Sequence, residues 1–310
     1  MSNKRIAIMG YGKIAKDQHV PAIIKTDGAE LVAIVSSRRD SPDGIPVFSS
    51  LLELAESNIA VDAVALCTPP KGRADIAREA MSRGWHVLLE KPPGATIMEV
   101  EQLSGYAVST GRTLFATWHA QYNAAVDKAA TFLADQEISS FAIDWRENVR
   151  KWHPGQTWLW QAGGFGVFDP GINALSIATK IIPVDFHVDQ ASLFVAENHQ
   201  APIAANISFS GAFAKNASAE FDFRTTGDEI WTIKVKTKTH LLRLEQGGSL
   251  LKIDGETVLE QHADEEYSTI YARFVELMQN GQSDVDLAPL KLTADAFMIG
   301  ERHNVAPFAG

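Results

Sequence analysis

Apolar residues fall in short unbroken runs through the first third of the chain and at alternate positions through much of the rest. Residues 5–9, 30–35, 61–66, 87–90 and 113–117 are such runs. They read as strands covered on both faces, because a strand with one wet face alternates instead. Between them, residues 74–83 and 97–110 carry apolar side chains at helical spacing, and Gly84 stands where the first of these helices should stop. Strand and helix in alternation predict a doubly wound parallel sheet of Rossmann type over residues 1–120.

After Trp118 and His119 the texture changes. Residues 124–134 form an apolar-faced helix, and a series of longer alternating strands begins at 139–148 and continues at 187–195, 204–209, 219–224, 229–236 and 241–245. Strands following strands predict a large, mostly antiparallel sheet with one open face. Helices at 267–279 and 290–302 complete a C-terminal α+β domain, residues 121–310. Two domains is also what 310 residues suggest.

Composition narrows the function classes. A net charge of −10 works against nucleic-acid or anionic-membrane partners, which require a positive field. Nothing resembles the run of about 20 apolar residues that spans a bilayer, and the N-terminal apolar run is too short for a signal-peptide core. A cytoplasmic protein is expected. The single cysteine, Cys67, excludes an internal disulfide, and the histidines lack metal-ligand spacing, so no metal is expected.

The first strand runs directly into Gly10-Tyr11-Gly12-Lys13-Ile14-Ala15. A G-x-G-x-x-A turn between a strand and a helix is the dinucleotide fingerprint: Gly10 for the tight turn, Gly12 for close approach of pyrophosphate, Ala15 for helix packing. An NAD site places a carboxylate after the second strand, whereas this chain has Ser36-Ser37-Arg38-Arg39. Hydroxyls and a guanidinium suit a 2′-phosphate, so NADP is expected to be preferred and NAD tolerated. Cys67-Thr68-Pro69 then forms a rigid loop at the carboxyl end of a parallel strand, where such sheets bind ligands.

Glu90-Lys91-Pro92 closes the 87–90 strand with a charged pair at the mouth of a buried element. By itself the pair is compatible with an ion pair capping the sheet edge. Together with the glycine turn and Thr68-Pro69, at these intervals, it resembles the glucose–fructose oxidoreductase/inositol dehydrogenase (Gfo/Idh/MocA) family over nearly the whole chain. The resemblance implies that Lys91 reaches the reacting hydroxyl beside a nicotinamide, and that the turn residues Gly10 to Ile14, Ser37, Arg38, Cys67, Thr68, Pro69, Glu90, Lys91 and Pro92 line the cofactor.

The second half concentrates its chemistry between Trp145 and Asn173. Four of the seven tryptophans lie there (Trp145, Trp152, Trp158 and Trp160), interleaved with Glu147, Asn148, His153 and Gln156. Aromatic faces among convergent polar groups suit a sugar; for most of these rings a core role is the simpler reading, and Trp152 is the candidate contact. Gly163-Gly164-Phe165-Gly166 leads to Asp169 and Asn173, which share a helix face at i, i+4. Asp169 could also merely cap that helix.

This stretch resembles the family's Gly-Gly…Asp-x-x-x-His motif, with Asn173 where the family's proton-accepting histidine stands. Asparagine cannot be a base, which leaves Lys91, Asp169 or His153 to take the proton. The resemblance implies oxidation of an aldose at its anomeric carbon to the lactone. His119, Glu147 and Trp152 would hold the sugar while Lys91, Asp169, Asn173 and His153 serve the chemistry. Within the family, the Asn, the Trp-His-Pro-Gly segment and the chain length are most like dehydrogenases of L-arabinose and D-galactose. Other polyols, or a non-catalytic cofactor-sensing role, are the alternatives. A homo-oligomer formed through the open sheet is a further expectation from the family.

Overall fold

A computed structural model describes the chain except Met1, Arg38, Arg39, Asp43, Ala214, Lys215, residues 262–264 and Gly310. It divides into two compact units: Met1–His119 with Glu265–Leu287, and Ala120–Asp264 with Ala288–Gly310.

The first unit is built on six parallel strands: β1 (Lys4–Met9), β2 (Ala29–Val35), β3 (Val47–Phe48), β4 (Ala63–Leu66), β5 (His86–Leu89) and β6 (Leu114–Ala116). Their order is β3-β2-β1-β4-β5-β6, so the chain works outward in one direction from β1 and then in the other from β4. β4 is wholly buried, and β5 is buried apart from His86 at its start, as their continuous apolar runs require. The helices are α1 (Val20–Lys25), α2 (Leu51–Glu56), α3 (Arg73–Ser82) and α4 (Ile97–Thr110). Thr96 and Glu99 form a reciprocal capping box at the start of α4, and Gly111 ends it in the left-handed conformation. The short β3 and α2 had no distinct signal in the sequence.

The second unit begins with α5 (Ala124–Leu133), β7 (Ile138–Arg146), α6 (Val149–Trp152) and α7 (Phe168–Ile181). The strands β8 (Phe186–Ala196), β9 (Ala204–Gly211), β10 (Ala217–Asp222), β11 (Ile230–Thr237), β12 (Leu241–Glu245), β13 (Leu250–Ile253) and β14 (Glu256–Glu260) follow. The chain then makes α8 (Glu266–Asn280), which belongs to the first unit, and returns for α9 (Ala288–Ile299) and β15 (Glu301–Val305).

The nine-stranded sheet has the order β14-β13-β12-β11-β7-β10-β9-β8-β15 and is mostly antiparallel. β7 pairs with β10, and β8 with β15, in parallel. Alternation is clear on β11, where Ile233 and Val235 are buried while Lys234 and Lys236 are exposed. One expectation fails here. The predicted helix over 290–302 stops at Ile299, and residues 301–305 pair as a strand with β8. Gly300 explains the break: a Cβ there would lie 2.4 Å from the Ala296 carbonyl, so the chain bends in a space only glycine fits.

Candidate active site

β1 ends at Met9 and the chain turns at Gly10 with φ +93°. A Cβ on Gly10 would come within 3.0 Å of the Cys67 carbonyl carbon and the Thr68 nitrogen. The bare α-carbon thus lets the turn lie against the loop that leaves β4. A Cβ on Gly12 would meet nothing of the protein within 4 Å. Residues 13–25 then run as a helix whose middle, Ala15–His19, is π-wound, and its first N–H groups have no partner within the helix.

Tyr11 is buried beneath the Lys16 ammonium, 5.0 Å above its ring. Lys13 pairs with Asp17, and Ile14 is exposed. Ser37 is exposed after β2, while Arg38 lies outside the described residues. Thr68 Oγ1 is buried and has no hydrogen-bond partner among the described residues. An open glycine, free N–H groups at a helix start and an unsatisfied buried hydroxyl fit the phosphates and ribose hydroxyls of a dinucleotide.

Beyond β5, Glu90 is buried and Lys91 is half-buried; Pro92 follows through a cis peptide. The Arg73 guanidinium, buried at the start of α3, donates to the carbonyls of Thr68, Glu90 and Pro92. It therefore fastens the loop after β4 to the loop after β5. Glu90 Oε1 accepts from the Tyr267 hydroxyl at 2.5 Å and lies 3.2 Å from His19 Nε2, and Oε2 accepts the Lys91 N–H at 2.5 Å. Burial alone would push this carboxyl up, but His19, His119 and Tyr267 outweigh it and hold it at about 2. Burial likewise opposes charge on His19, yet Cys67 and Glu90 beside it raise the imidazole to about 10.

His119 Nδ1 meets Glu266 at 2.6 Å, and its ring stacks on Tyr267 at 5.6 Å. Burial lowers the His119 pKa, Glu266 and Glu90 raise it, and Lys91 lowers it; the net direction is upward. That influence puts the Lys91 charge within electrostatic reach of His119. The nitrogen of His119 facing Glu266 is engaged within the first unit, so only the other remains for a substrate.

In the second unit, Glu147 follows β7 and Asp169 sits in the first turn of α7, both buried. Between them lies His153, whose Nε2 is 3.6 Å from Glu147 and 3.5 Å from Asp169. Asp169 makes no side-chain cap on α7; its carboxylate faces the imidazole. One turn on, Asn173 Oδ1 is buried with no hydrogen-bond partner among the described residues. Two carboxylates around one imidazole, beside an unsatisfied acceptor, can fix and exchange the protons of several hydroxyls.

Trp145 and Trp160 are buried in the core, while Trp152 is 37% exposed. Its indole N–H already donates to Glu229 at 2.6 Å and its ring meets Trp231 edge-on at 5.8 Å, which leaves a ring face rather than a donor to offer. The glycines at 164 and 166 serve packing. A Cβ on Gly164 would lie 2.2 Å from the Trp158 carbonyl, and one on Gly166 2.3 Å from that of Pro202.

Sequence reasoning missed Arg73, His19, Tyr267, Glu266, Trp231 and Glu229. Trp231 donates to Glu147 at 3.3 Å, and Glu229 accepts from the Asn148 N–H, Lys151 and Trp152. Arg73 reaches carbonyls 5 to 19 positions away and the others bond across 71 positions or more, and no local pattern marks them. Only Tyr267 and Tyr271, i and i+4 on an amphipathic helix with hydroxyls that need partners if buried, gave a readable hint. No group of three or more His, Cys, Asp or Glu among the described residues is arranged for a metal, and no helix among them is long and apolar enough to cross a membrane.

Residues 4–117 match the Gfo/Idh/MocA model, described as an oxidoreductase family with an NAD-binding Rossmann fold. The chain is 44% identical to galactose 1-dehydrogenase of Pseudomonas fluorescens over 98% of both proteins. The crystal structure of D-galactose-1-dehydrogenase from Rhizobium etli superposes with a TM-score of 0.94 at 46% identity, covering 100% of this chain and 99% of that one. A 3-ketoreductase from Actinomadura kijaniata, in complex with NADP and TDP-benzene, shares the fold at a TM-score of 0.83 and 20% identity, over 98% of this chain and 100% of its own.

Proposed function

The chain belongs to the Gfo/Idh/MocA oxidoreductase family, and on that premise we propose that it oxidises D-galactose, and L-arabinose with it, at C1 to the lactone, with NADP preferred over NAD. The observation that carries this reading is the whole-length likeness to galactose 1-dehydrogenases. The two sugars share the configuration of their ring hydroxyls, and galactose adds only a CH₂OH that a pocket open at C5 accepts.

Oxidation at C1 removes a hydride from carbon and a proton from the hydroxyl. The dinucleotide, when bound by Gly10 to Ile14, Ser37, Cys67 to Pro69 and Glu90 to Pro92, supplies the hydride acceptor. Lys91 holds the C1 hydroxyl and receives its proton, a role Asn173 cannot fill. Asn173 instead offers its unsatisfied carbonyl oxygen to a sugar hydroxyl. Asp169, His153 and Glu147 orient the remaining hydroxyls, and Trp152 offers an apolar face to the C–H side of the ring. The NADP preference is supported by the turn after β2. It presents Ser36 and Ser37 and has no carboxylate before Asp40, which is itself paired with Lys16.

The test is an initial-rate screen of pentoses and hexoses, with inositol and simple diols alongside, using NADP and NAD in parallel and following reduced-nicotinamide absorbance. Galactose and arabinose should turn over, faster with NADP. Turnover of only inositol or a diol would refute the substrate, and faster rates with NAD would refute the cofactor preference.

A further inference from the structure

The first two turns of α8 bring three side chains to Glu90 and the histidines around it. Glu266 engages His119 at 2.6 Å, Tyr267 donates to Glu90 at 2.5 Å, and Tyr271, one turn on, meets His19 Nδ1 at 2.7 Å. Glu90 is the junction. One of its oxygens accepts Tyr267, and the other accepts the backbone N–H of Lys91 itself. A single carboxylate thus links a phenol on α8 to the peptide plane from which the Lys91 side chain departs.

The phenol is closely confined. Tyr267 is 4% exposed, its ring stacks on His119, and it meets His19 edge-on at 4.9 Å. With χ1 and χ2 fixed by two neighbours, the hydroxyl has one place to be, and so has the carboxylate it grips. Removing that donor leaves the buried, ionised Oε1 with only His19 Nε2, at 3.2 Å, to hold it, and the Glu90 side chain can then rotate. Such a rotation draws Oε2 off the Lys91 N–H, and the peptide that carries the Lys91 side chain loses its anchor. Displacing a reacting group by about 1 Å can cost on the order of a hundredfold in rate.

We propose that Tyr267 is a positioning residue for Lys91, acting through the Glu90 carboxylate. It is not itself an acid or base in the reaction, because its proton is directed to Glu90 and it is sealed from solvent. The proposal rests on Lys91 being the group that handles the C1 hydroxyl. Its consequence is that a helix contributed by the far end of the chain sets the geometry of a lysine near its beginning.

The decisive variant is Tyr267→Phe, which keeps the ring and removes the hydroxyl. With galactose, kcat should fall about tenfold to a hundredfold, while galactose KM and dinucleotide Kd, read from tryptophan fluorescence, stay within about twofold. Glu90→Gln should fall by a similar factor, and the double variant should fall no further, since both act on one link. Thr26→Val, which removes the Thr26 hydroxyl's contact with the Ser268 carbonyl of α8 without touching Glu90, should leave kcat unchanged.

A second readout needs no turnover: the rate at which trinitrobenzenesulfonate labels Lys91, located by peptide mapping, should change in Tyr267→Phe and not in Thr26→Val. An unaltered kcat and labelling rate in Tyr267→Phe, or additive losses in the double variant, would overturn the proposal. If Tyr267→Phe fails to fold, Glu90→Gln with wild-type kcat and labelling overturns it equally. Wild-type protein that oxidises no sugar refutes the substrate reading instead, and the labelling experiment still decides the role of Tyr267.

Discussion

Asn198 holds the backbone of Phe308 from both sides: its amide nitrogen donates to the Phe308 carbonyl and its carbonyl oxygen accepts the Phe308 N–H, each at 2.9 Å. The ring so anchored lies 4.9 Å from the Arg150 guanidinium and 6.1 Å from Trp160, which in turn stacks on His199 at 4.4 Å. Arg150 and Trp160 bracket the segment that carries Trp152 and His153. Phe308→Ala should therefore destabilise the second unit by about 1–2 kcal/mol. It should also raise galactose KM several-fold while leaving dinucleotide Kd unchanged. Denaturant titration and steady-state kinetics on the same preparation check both.

Lys91→Ala should lose about a hundredfold or more in kcat and still bind the dinucleotide. Lys91→Arg should not rescue it, because a guanidinium remains protonated and cannot accept a proton. Single-turnover absorbance with each variant provides the measurement, and wild-type rates in Lys91→Ala would remove Lys91 from the chemistry.

The two glycines of the first turn should part company. Gly10→Ala places a side chain at φ +93° and within 3.0 Å of backbone atoms of Cys67 and Thr68, so the protein without cofactor should already melt lower. Gly12→Ala meets nothing. Its melting point should stay at the wild-type value, and only dinucleotide affinity should fall. Thermal scans with and without NADP separate the two effects.

Arg73→Lys should be poorly tolerated. A single ammonium cannot replace the planar fork that reaches the Thr68, Glu90 and Pro92 carbonyls. We expect a loss of at least about 2 kcal/mol in urea unfolding, together with reduced turnover because two loops of the site come apart.

His86 gives the protein an acid sensitivity of known sign. Its Nδ1 accepts the Thr113 N–H at 2.9 Å, which requires the neutral ring. Burial, then Arg112 and Lys4, lower its pKa to about 4 from the ordinary 6.5. Between those values the unfolded chain binds the extra proton, so the His86 contribution to stability is full above pH 6.5 and is lost as pH falls toward 4. The slope reaches at most about 1.4 kcal/mol per pH unit. His86→Gln should flatten the curve between pH 6.5 and 4.5, before Glu90, held at about 2, begins to contribute its own loss. Urea unfolding across that range is the check.

Most of the parallel sheet was legible because its signals are local. Continuous apolar runs mark β1, β2, β4, β5 and β6, and the glycine turn stands directly after β1. The alternating strands of the second unit were legible for the same reason. β15 was not, since its five residues followed a helical pattern with only Gly300 to mark the change. Among the candidate residues, Lys91 in the first unit and Asp169 and Asn173 in the second could be read from short motifs. The groups that hold them could not: Arg73 is recognisable only once three carbonyls converge on it, and Tyr267 meets Glu90 across 177 positions. Periodicity says nothing about such pairings.

Glu265–Leu287 also bears on how the protein is made. Phe115 on β6 stacks with Phe274, the Ala116 N–H donates to the Asp284 carbonyl, and the Trp118 indole donates to that of Asp286. While a ribosome is still translating the second unit, the outer strand of the first has none of these partners. The nucleotide-binding half is therefore finished only after nearly the whole message has been read, and a fragment cut at residue 120 should emerge sticky and incomplete rather than as a portable module.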